Sequence, residues 1–232
     1  MRPLSEVLDE ITDVKGGCMV LFDDMRRLCA ADSEGHYPDT FRLMAVPMIY
    51  AVWERCFSLC HAVGLKRLRE VRGKTSALAS PQRALWLQRQ PFYASYLDKV
   101  RRLEPPKRGT SRGEFGALCD LLRDFETWSQ GDIDPSVEMI DLVMTFSNVN
   151  PEVVKINAVA LGIYEHPKFQ EIELGRLNDL VGRRNDIGHG GIVTPPGKRE
   201  FLELWGFAEA LIGSYCDAFG DWISQEMADL QR

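Results

Sequence analysis

Residues 181–191 read VGRRNDIGHGG. Just upstream, Leu174, Leu177, Leu180 and Val181 recur at spacings of three and four, which lays one apolar stripe along an α-helix. The stripe stops where the charges begin, at Arg183, Arg184, Asn185 and Asp186, followed by Gly188, His189 and two more glycines. Gly188 or Gly190 is the expected helix stop, because glycine takes the left-handed conformation without a Cβ penalty. Arg184 and His189 lie five residues apart, about 140° around a helix, so an unbroken helix would splay them. A helix that ends at Gly188 lets His189 fold back toward Arg184. A permanent cation and a proton donor/acceptor then share one small space.

Outward from this stretch the chain reads as helix after helix. A short amphipathic helix is expected over 4–13, broken by Gly16-Gly17, and a second from about Cys18 to Ala31. After the turn-rich DSEGHYPD, Asp39 or Thr40 is placed to cap a long third helix. That helix carries Met44, Ile49, Val52, Trp53 and Phe57 at core spacings. Pro47 either bends it or marks a late start. Residues 82–103 read as helical with a bend at Pro91, EPPKRGTSRG (104–113) as a loop, and 114–129 as a helix. Gly131–Asp134 turn the chain, and Pro135 suits the first position of a short helix. Asn150 caps a helix that begins at Pro151 and ends near Gly162, and a last amphipathic helix spans about 199–227. No period-two alternation and no internal repeat interrupts this pattern. The expected fold is all-α.

Composition limits the function classes. A chain of 232 residues is long enough to bury a sizeable core. Apolar and charged contents of 45% and 27% are those of a soluble globular protein rather than a disordered one. The N-terminal MRPLSEVLDEITD has acidic residues where a signal peptide needs an apolar stretch. The most apolar run, 43–53, holds Pro47 and is followed by Glu54 and Arg55, too short to span a membrane. Six cysteines without framework spacing suit reduced thiols, so a cytoplasmic location without a membrane partner is expected. Cys56, Cys60 and His61 lie close together on one helix, but nothing in the sequence supplies a remaining ligand set. They read as core, and no metal is expected. The glycines at 188, 190 and 191 fit neither a P-loop nor a dinucleotide motif, so no cofactor is implied.

The net charge of −6 is unevenly spread. Residues 66–112 hold 13 Lys/Arg against Glu70, Asp98 and Glu104, so of the chain's 28 basic and 34 acidic residues, 15 and 31 lie elsewhere. Such asymmetry either attracts a phosphate backbone or simply solvates exposed helix faces. On the first reading Lys107, Arg108 and Arg112, with Arg183 near the motif, are RNA-binding candidates.

Arginine, a polar residue directly after it, and a histidine a few residues on resemble the motif of the HEPN superfamily of helical ribonucleases. Here these are Arg184, Asn185 and His189. Two further stretches resemble its RiboL-PSP-HEPN branch: VPMIYAVWERCFSLCHA (46–62), with Tyr50, Trp53 and Glu54, and the Asn-rich FSNVNPEVVKINAVALGI (146–163). The resemblance spans roughly residues 40–225. It implies one HEPN-like helical domain over 1–232, with residues 1–35 as an accessory extension and about 66–130 as a basic helical insertion. Arg183 also precedes His189 at a permitted interval; Arg184 is preferred because Asn185 follows it.

What the resemblance implies chemically is RNA cleavage without a metal. A 2′-OH attacks the adjacent phosphate, one group removes its proton, and another protonates the leaving 5′-oxygen. Histidine suits both tasks, and arginine suits the phosphate oxygens. The assigned residues are Arg184, His189, Asn185 for support, and Glu54 as an acidic neighbour of Arg184. One histidine per chain implies a homodimer in which two motifs form a composite site. The family also implies a prokaryotic toxin or antiviral defence role, with an antitoxin or defence-system partner protein. Some relatives carry a tyrosine two residues after the histidine as a site of neutralising modification; Gly191 stands there in this chain. The competing reading is a non-catalytic helical module that dimerises and binds nucleic acid or protein. In that reading Arg184 pairs with Asp186 or another helix, and His189 only ends a helix.

Overall fold

The most apolar segment forms the central helix. In the computed structural model, which describes residues 1–29, 31–32, 34–103, 111–189 and 194–228, α2 runs Asp39–Arg72 without a break. Pro47 lies inside it, four residues after Leu43, whose carbonyl loses the helical partner that proline cannot provide. Neither Asp39 nor Thr40 caps the helix. The residue before it is Pro38, and the Asp39 carboxylate instead accepts from Arg42 Nη2 at 2.6 Å. An 18-residue window of α2, mean hydropathy 1.3, is long and apolar enough to cross a membrane, contrary to the short run read from the sequence. In this structure α2 is instead the core's central helix: Ala45, Val46, Ile49, Trp53, Cys56, Phe57 and Cys60 are fully buried.

Two long helices pack on α2 and on each other: α1 (Leu4–Leu28) and α10 (Lys198–Ala228). α1 corrects the expected break at Gly16-Gly17. Its buried residues Val7, Ile11, Cys18, Phe22 and Met25 keep helical spacing straight through the glycines. Both glycines are exposed, and a Cβ on either would meet nothing within 4 Å. One continuous buried stripe thus outweighs two poor helix formers. The N-terminal segment is packed into the core rather than appended to it. Between α2 and α10 runs an aromatic seam of Trp53, Phe57, Tyr215, Phe219 and Trp222, with successive ring centroids 5.1–6.1 Å apart. Gly64 lets this seam close: a Cβ there would lie 3.0 Å from Leu161, 3.2 Å from Trp222 and 3.4 Å from Phe219.

The expected helix over 82–103 is two helices, α3 (Ser80–Leu87) and α4 (Pro91–Arg101). Pro91 starts the second one because a proline at the first helical position loses no bond. Next comes α5 (Arg112–Gln130), capped by Ser111, whose Oγ accepts from Glu114 N at 3.1 Å while Glu114 bonds back to Ser111 N at 2.7 Å. The end of the expected 104–113 loop is therefore the first turn of α5. Helices α4 and α5 pack on each other, and backbone bonds Thr75 N to Gly131 O (3.1 Å) and Ile133 N to Gly73 O (3.0 Å) pinch the segment at its base. Pro135 opens no helix. Asp134 Oδ1 accepts from Ser136 N at 2.8 Å, closing a turn, and α6 (Met139–Leu142) begins later.

The remaining elements follow as α7 (Pro151–Leu161), α8 (Pro167–Gln170) and α9 (Leu177–Gly188). Asn150 caps α7 by accepting from Val153 N at 3.0 Å, and Gly162 ends it in the left-handed conformation (φ 97°). Helices α6, α7 and α9 all lie against α2. Among the described residues there are ten α-helices and no strand, an all-α fold.

Candidate functional site

The motif helix α9 buries Leu177, Leu180 and Val181. Arg184 stands seven residues after Leu177 and four after Leu180, so helical geometry sends it along the same inward face. Its guanidinium lies over the Tyr50 ring at 5.2 Å from the centroid. Arg184 Nη1 donates to Asn148 Oδ1 at 3.2 Å and to Asn185 Oδ1 at 3.0 Å. Every one of these partners is neutral. The half-buried charge is held in position but not cancelled, and the guanidinium's other donors make no bond to a described residue.

The loop that presents Asn148 is itself fixed from α2. The Tyr50 hydroxyl accepts from Val149 N at 2.7 Å, and Trp53 Nε1 donates to Val149 O at 3.2 Å. Two side chains one turn apart therefore satisfy both backbone groups of a buried loop residue. At the other end, the Asn157 side chain bonds Met144 N at 3.0 Å and Met144 O at 2.7 Å. Between these anchors Phe146 sits at φ 49°, in the left-handed region, and is 68% exposed. Burial pushes the Tyr50 phenol above its ordinary pKa; the Val149 N–H and Arg184 oppose that shift, and the Glu54 charge adds to it. The phenol thus stays neutral beneath the arginine.

His189 takes the position just after α9, where its backbone N–H bonds Asn185 O at 3.0 Å. Gly188 is the last helical residue, so the helix ends there as expected, though without the left-handed conformation; Gly190 and Gly191 lie outside the described residues. The His189 ring is exposed and makes no hydrogen bond or ion pair with any described residue, Arg184 included. Within one chain no hydrogen bond joins the two motif side chains.

Glu54 is half-buried one turn beyond Tyr50, and no ion pair joins it to Arg184; the two charges meet only through their opposite effects on Tyr50. Arg183 faces the other way. Its Nε and Nη2 donate to Glu200 Oε1 of α10 at 2.8 and 2.5 Å, in a cavity of about 440 Å³ shared with Arg176, Asp179 and Asp186. Adjacent arginines therefore differ in kind: Arg183 is neutralised by a carboxylate, Arg184 is not. Arg112 is exposed at the start of α5, while Lys107 and Arg108 lie outside the described residues.

Much of the basic stretch has internal partners. Lys66 pairs with Glu10 (3.2 Å), Arg67 with Glu70 (3.0 Å) and Lys99 with Asp120 (3.1 Å). Arg69 donates to the carbonyls of Pro135 and Val137, and Arg89 to that of Asp141. The three carboxylate pairs reduce the field left over for a polyanion, whereas Arg69 and Arg89, bonded to neutral carbonyls, keep their charge.

Sequence reasoning had quoted Tyr50 and the Asn-rich stretch without giving Tyr50 or Asn148 a role. The signal available was Asn148 and Asn150 on either side of Val149: one caps α7, the other holds Arg184. The three stretches 46–62, 146–163 and 181–191 converge on this single arginine. An all-α chain in which they meet defines a HEPN-type domain. The RiboL-PSP-HEPN family model matches residues 22–223, and the chain belongs to that family. No curated protein and no solved structure matches it.

Proposed function

We propose that the protein is a metal-independent endoribonuclease of the HEPN type, working as a homodimer whose two motifs form one composite site. The observation that carries this reading is the uncompensated Arg184 charge in its cradle of Asn148, Asn185 and Tyr50. A fixed cation with neutral partners and free donors is suited to an anion, and a phosphodiester offers two non-bridging oxygens to a guanidinium fork. His189, exposed and unbonded at the helix end, is free to move a proton. In the dimer Arg184 holds the scissile phosphate. One His189 takes the 2′-OH proton, and the other protonates the departing 5′-oxygen. The products are a 2′,3′-cyclic phosphate and a 5′-hydroxyl. Asn185 keeps Arg184 in place, and Glu54, one turn beyond Tyr50, supplies the supporting acidic charge on α2. Family membership also supports a toxin or defence role with a cognate protein partner.

The test is cleavage of a single-stranded RNA by wild type, His189→Ala and Arg184→Ala, with thermal melting in parallel. His189→Ala should lose about 10²–10⁴-fold in rate with an unchanged melting temperature, since its exposed ring makes no hydrogen bond or ion pair with a described residue. Arg184→Ala should lose affinity and rate together. Wild-type activity should rise faster than linearly with protein concentration near the dimer dissociation constant. A normally folded His189→Ala protein that cleaves at the wild-type rate would replace this reading with the non-catalytic module.

A further inference from the structure

Three of the chain's six cysteines meet in the middle of the three-helix core, Cys56 and Cys60 on α2 and Cys216 on α10, and a fourth, Cys18 on α1, is buried against the same helix α2. Cys216 Sγ lies 3.6 Å from Cys56 Sγ and 3.7 Å from Cys60 Sγ, and all three sulfurs are within 4.8 Å of one another. The Cys18 thiol, beside this trio on α1, donates instead to the Val52 carbonyl of α2 at 3.9 Å. All four residues are at most 1% exposed, and none is in a disulfide.

We propose that Cys56, Cys60 and Cys216 form a buried thiolate site for a thiophilic divalent cation of the zinc class, with Cys18 turning in from α1 as the fourth donor when the ion binds, so that the ion fastens α1, α2 and α10 together. A tetrahedral centre with metal–sulfur bonds of about 2.3 Å holds its sulfurs roughly 3.8 Å apart, and the Cys216 pairs stand at 3.6 and 3.7 Å. An all-sulfur set of this kind selects zinc-like ions over the hard cations that oxygen ligands prefer. The i, i+4 spacing of Cys56 and Cys60 supplies two ligands from one helix face. His61, the neighbour that sequence alone offered as a ligand, is committed elsewhere: its Nε2 lies 2.7 Å from the Tyr215 hydroxyl. A way in exists as well. Cys216 lines a surface cavity of about 310 Å³ between α1 and α10, beside Lys15, Asp217 and Asp221. On binding, each ligating thiol releases its proton to solvent as its sulfur bonds the metal.

The experiment uses the full chain, purified and kept under reducing conditions, with zinc content measured directly and Co²⁺ titrated as a spectroscopic probe. Wild type is expected to hold close to one metal ion per chain and to give an intense thiolate-to-cobalt charge-transfer band. Cys60→Ala and Cys216→Ala, each a small apolar replacement, should weaken Co²⁺ binding by about 100-fold or more. Cys119→Ser, on exposed α5 surface, should bind like wild type. Cys18→Ala should retain the ion with an altered cobalt spectrum. A wild-type protein with neither bound zinc nor a charge-transfer band overturns the proposal, as does binding that survives loss of Cys60 and Cys216. An unaltered cobalt spectrum in Cys18→Ala removes Cys18 from the set. None of these readouts depends on RNA cleavage.

Discussion

At the scale of single residues, Arg183 and Arg184 show how little side-chain type says about role. One donates twice to Glu200; the other rests on an aromatic ring and two amide oxygens. Their difference gives a direct test of what the neutral cradle is for. Asn148→Asp keeps shape and places a carboxylate where the amide oxygen now accepts from Arg184. The arginine charge is then satisfied internally, so affinity for RNA should drop by about tenfold or more while the melting temperature stays level or rises. RNA binding measured by fluorescence anisotropy that matched wild type would argue against Arg184 as the phosphate ligand. The sequence exposed the motif but not this cradle. Tyr50, Asn148 and Arg184 are separated by about a hundred and by thirty-six positions, and no local pattern encodes an approach of that kind. For the same reason Glu54, which the family resemblance set beside Arg184, makes no ion pair with it in the structure.

At the scale of elements, local rules did well wherever backbone chemistry is local. Asn150 with Pro151 set the start of α7 and Gly162 its end, as read from sequence. They failed where packing decides. Gly16-Gly17 looked like a break, yet α1 runs through because its buried stripe is uninterrupted on both sides. The same logic predicts a stabilising change. Gly16→Ala and Gly17→Ala add a Cβ into open space on an exposed helix face, so each should raise unfolding free energy by about 0.5–1 kcal/mol. Urea denaturation should show the gain as a higher midpoint with an unchanged slope. A loss of stability would mean that the glycines serve a contact that the helix face does not reveal. The expected 82–103 helix divides at Gln88–Gln90 for a simpler reason: Pro91 restricts the residue before it to extended conformations.

At the scale of the whole molecule, the N-terminus is tied to the far end of α2 by a small charged network. Arg2 bonds both Glu10 and Glu70; Arg67, 4% exposed, donates to Glu70 at 3.0 Å and to Arg2 O at 3.0 Å. Burial alone would raise the Glu70 pKa, but the hydrogen bonds from Arg2 and Arg67 and the Arg2 charge outweigh it and hold the group below 4.5. A carboxylate depressed in the folded state adds stability that is present above its unfolded pKa. That stability is lost as pH falls from about 4.5 through the folded value. Glu70→Gln should therefore be less stable at pH 7, by about 1–3 kcal/mol, and should lose less of its remaining stability on acidification below pH 5. Thermal melts across that range would show the two curves converging; parallel curves would exclude Glu70 as a source of acid sensitivity. The sequence marked residues 66–112 as a basic block, but not that Lys66, Arg67 and Lys99 would be paired with internal carboxylates. Charge counts along a chain carry no information about which carboxylates the fold brings back to meet them.

The two bonds that α2 makes to Val149 bear on how this family can drift. Tyr50 at once satisfies a loop amide, supports an arginine face and fills the core, and Trp53 completes the same peptide one turn later. A change from tyrosine to phenylalanine keeps the packing and the ring under Arg184 yet strands a buried N–H. A change at Asn148 leaves that peptide intact and removes one of the two amide oxygens that hold the arginine. On the proposed reading, lineages that lose catalysis can discard Asn148 and His189 cheaply, while Tyr50 and Trp53 stay locked in by the loop they hold. In descendants that have become pure binding modules, the α2 pair should outlast the motif itself.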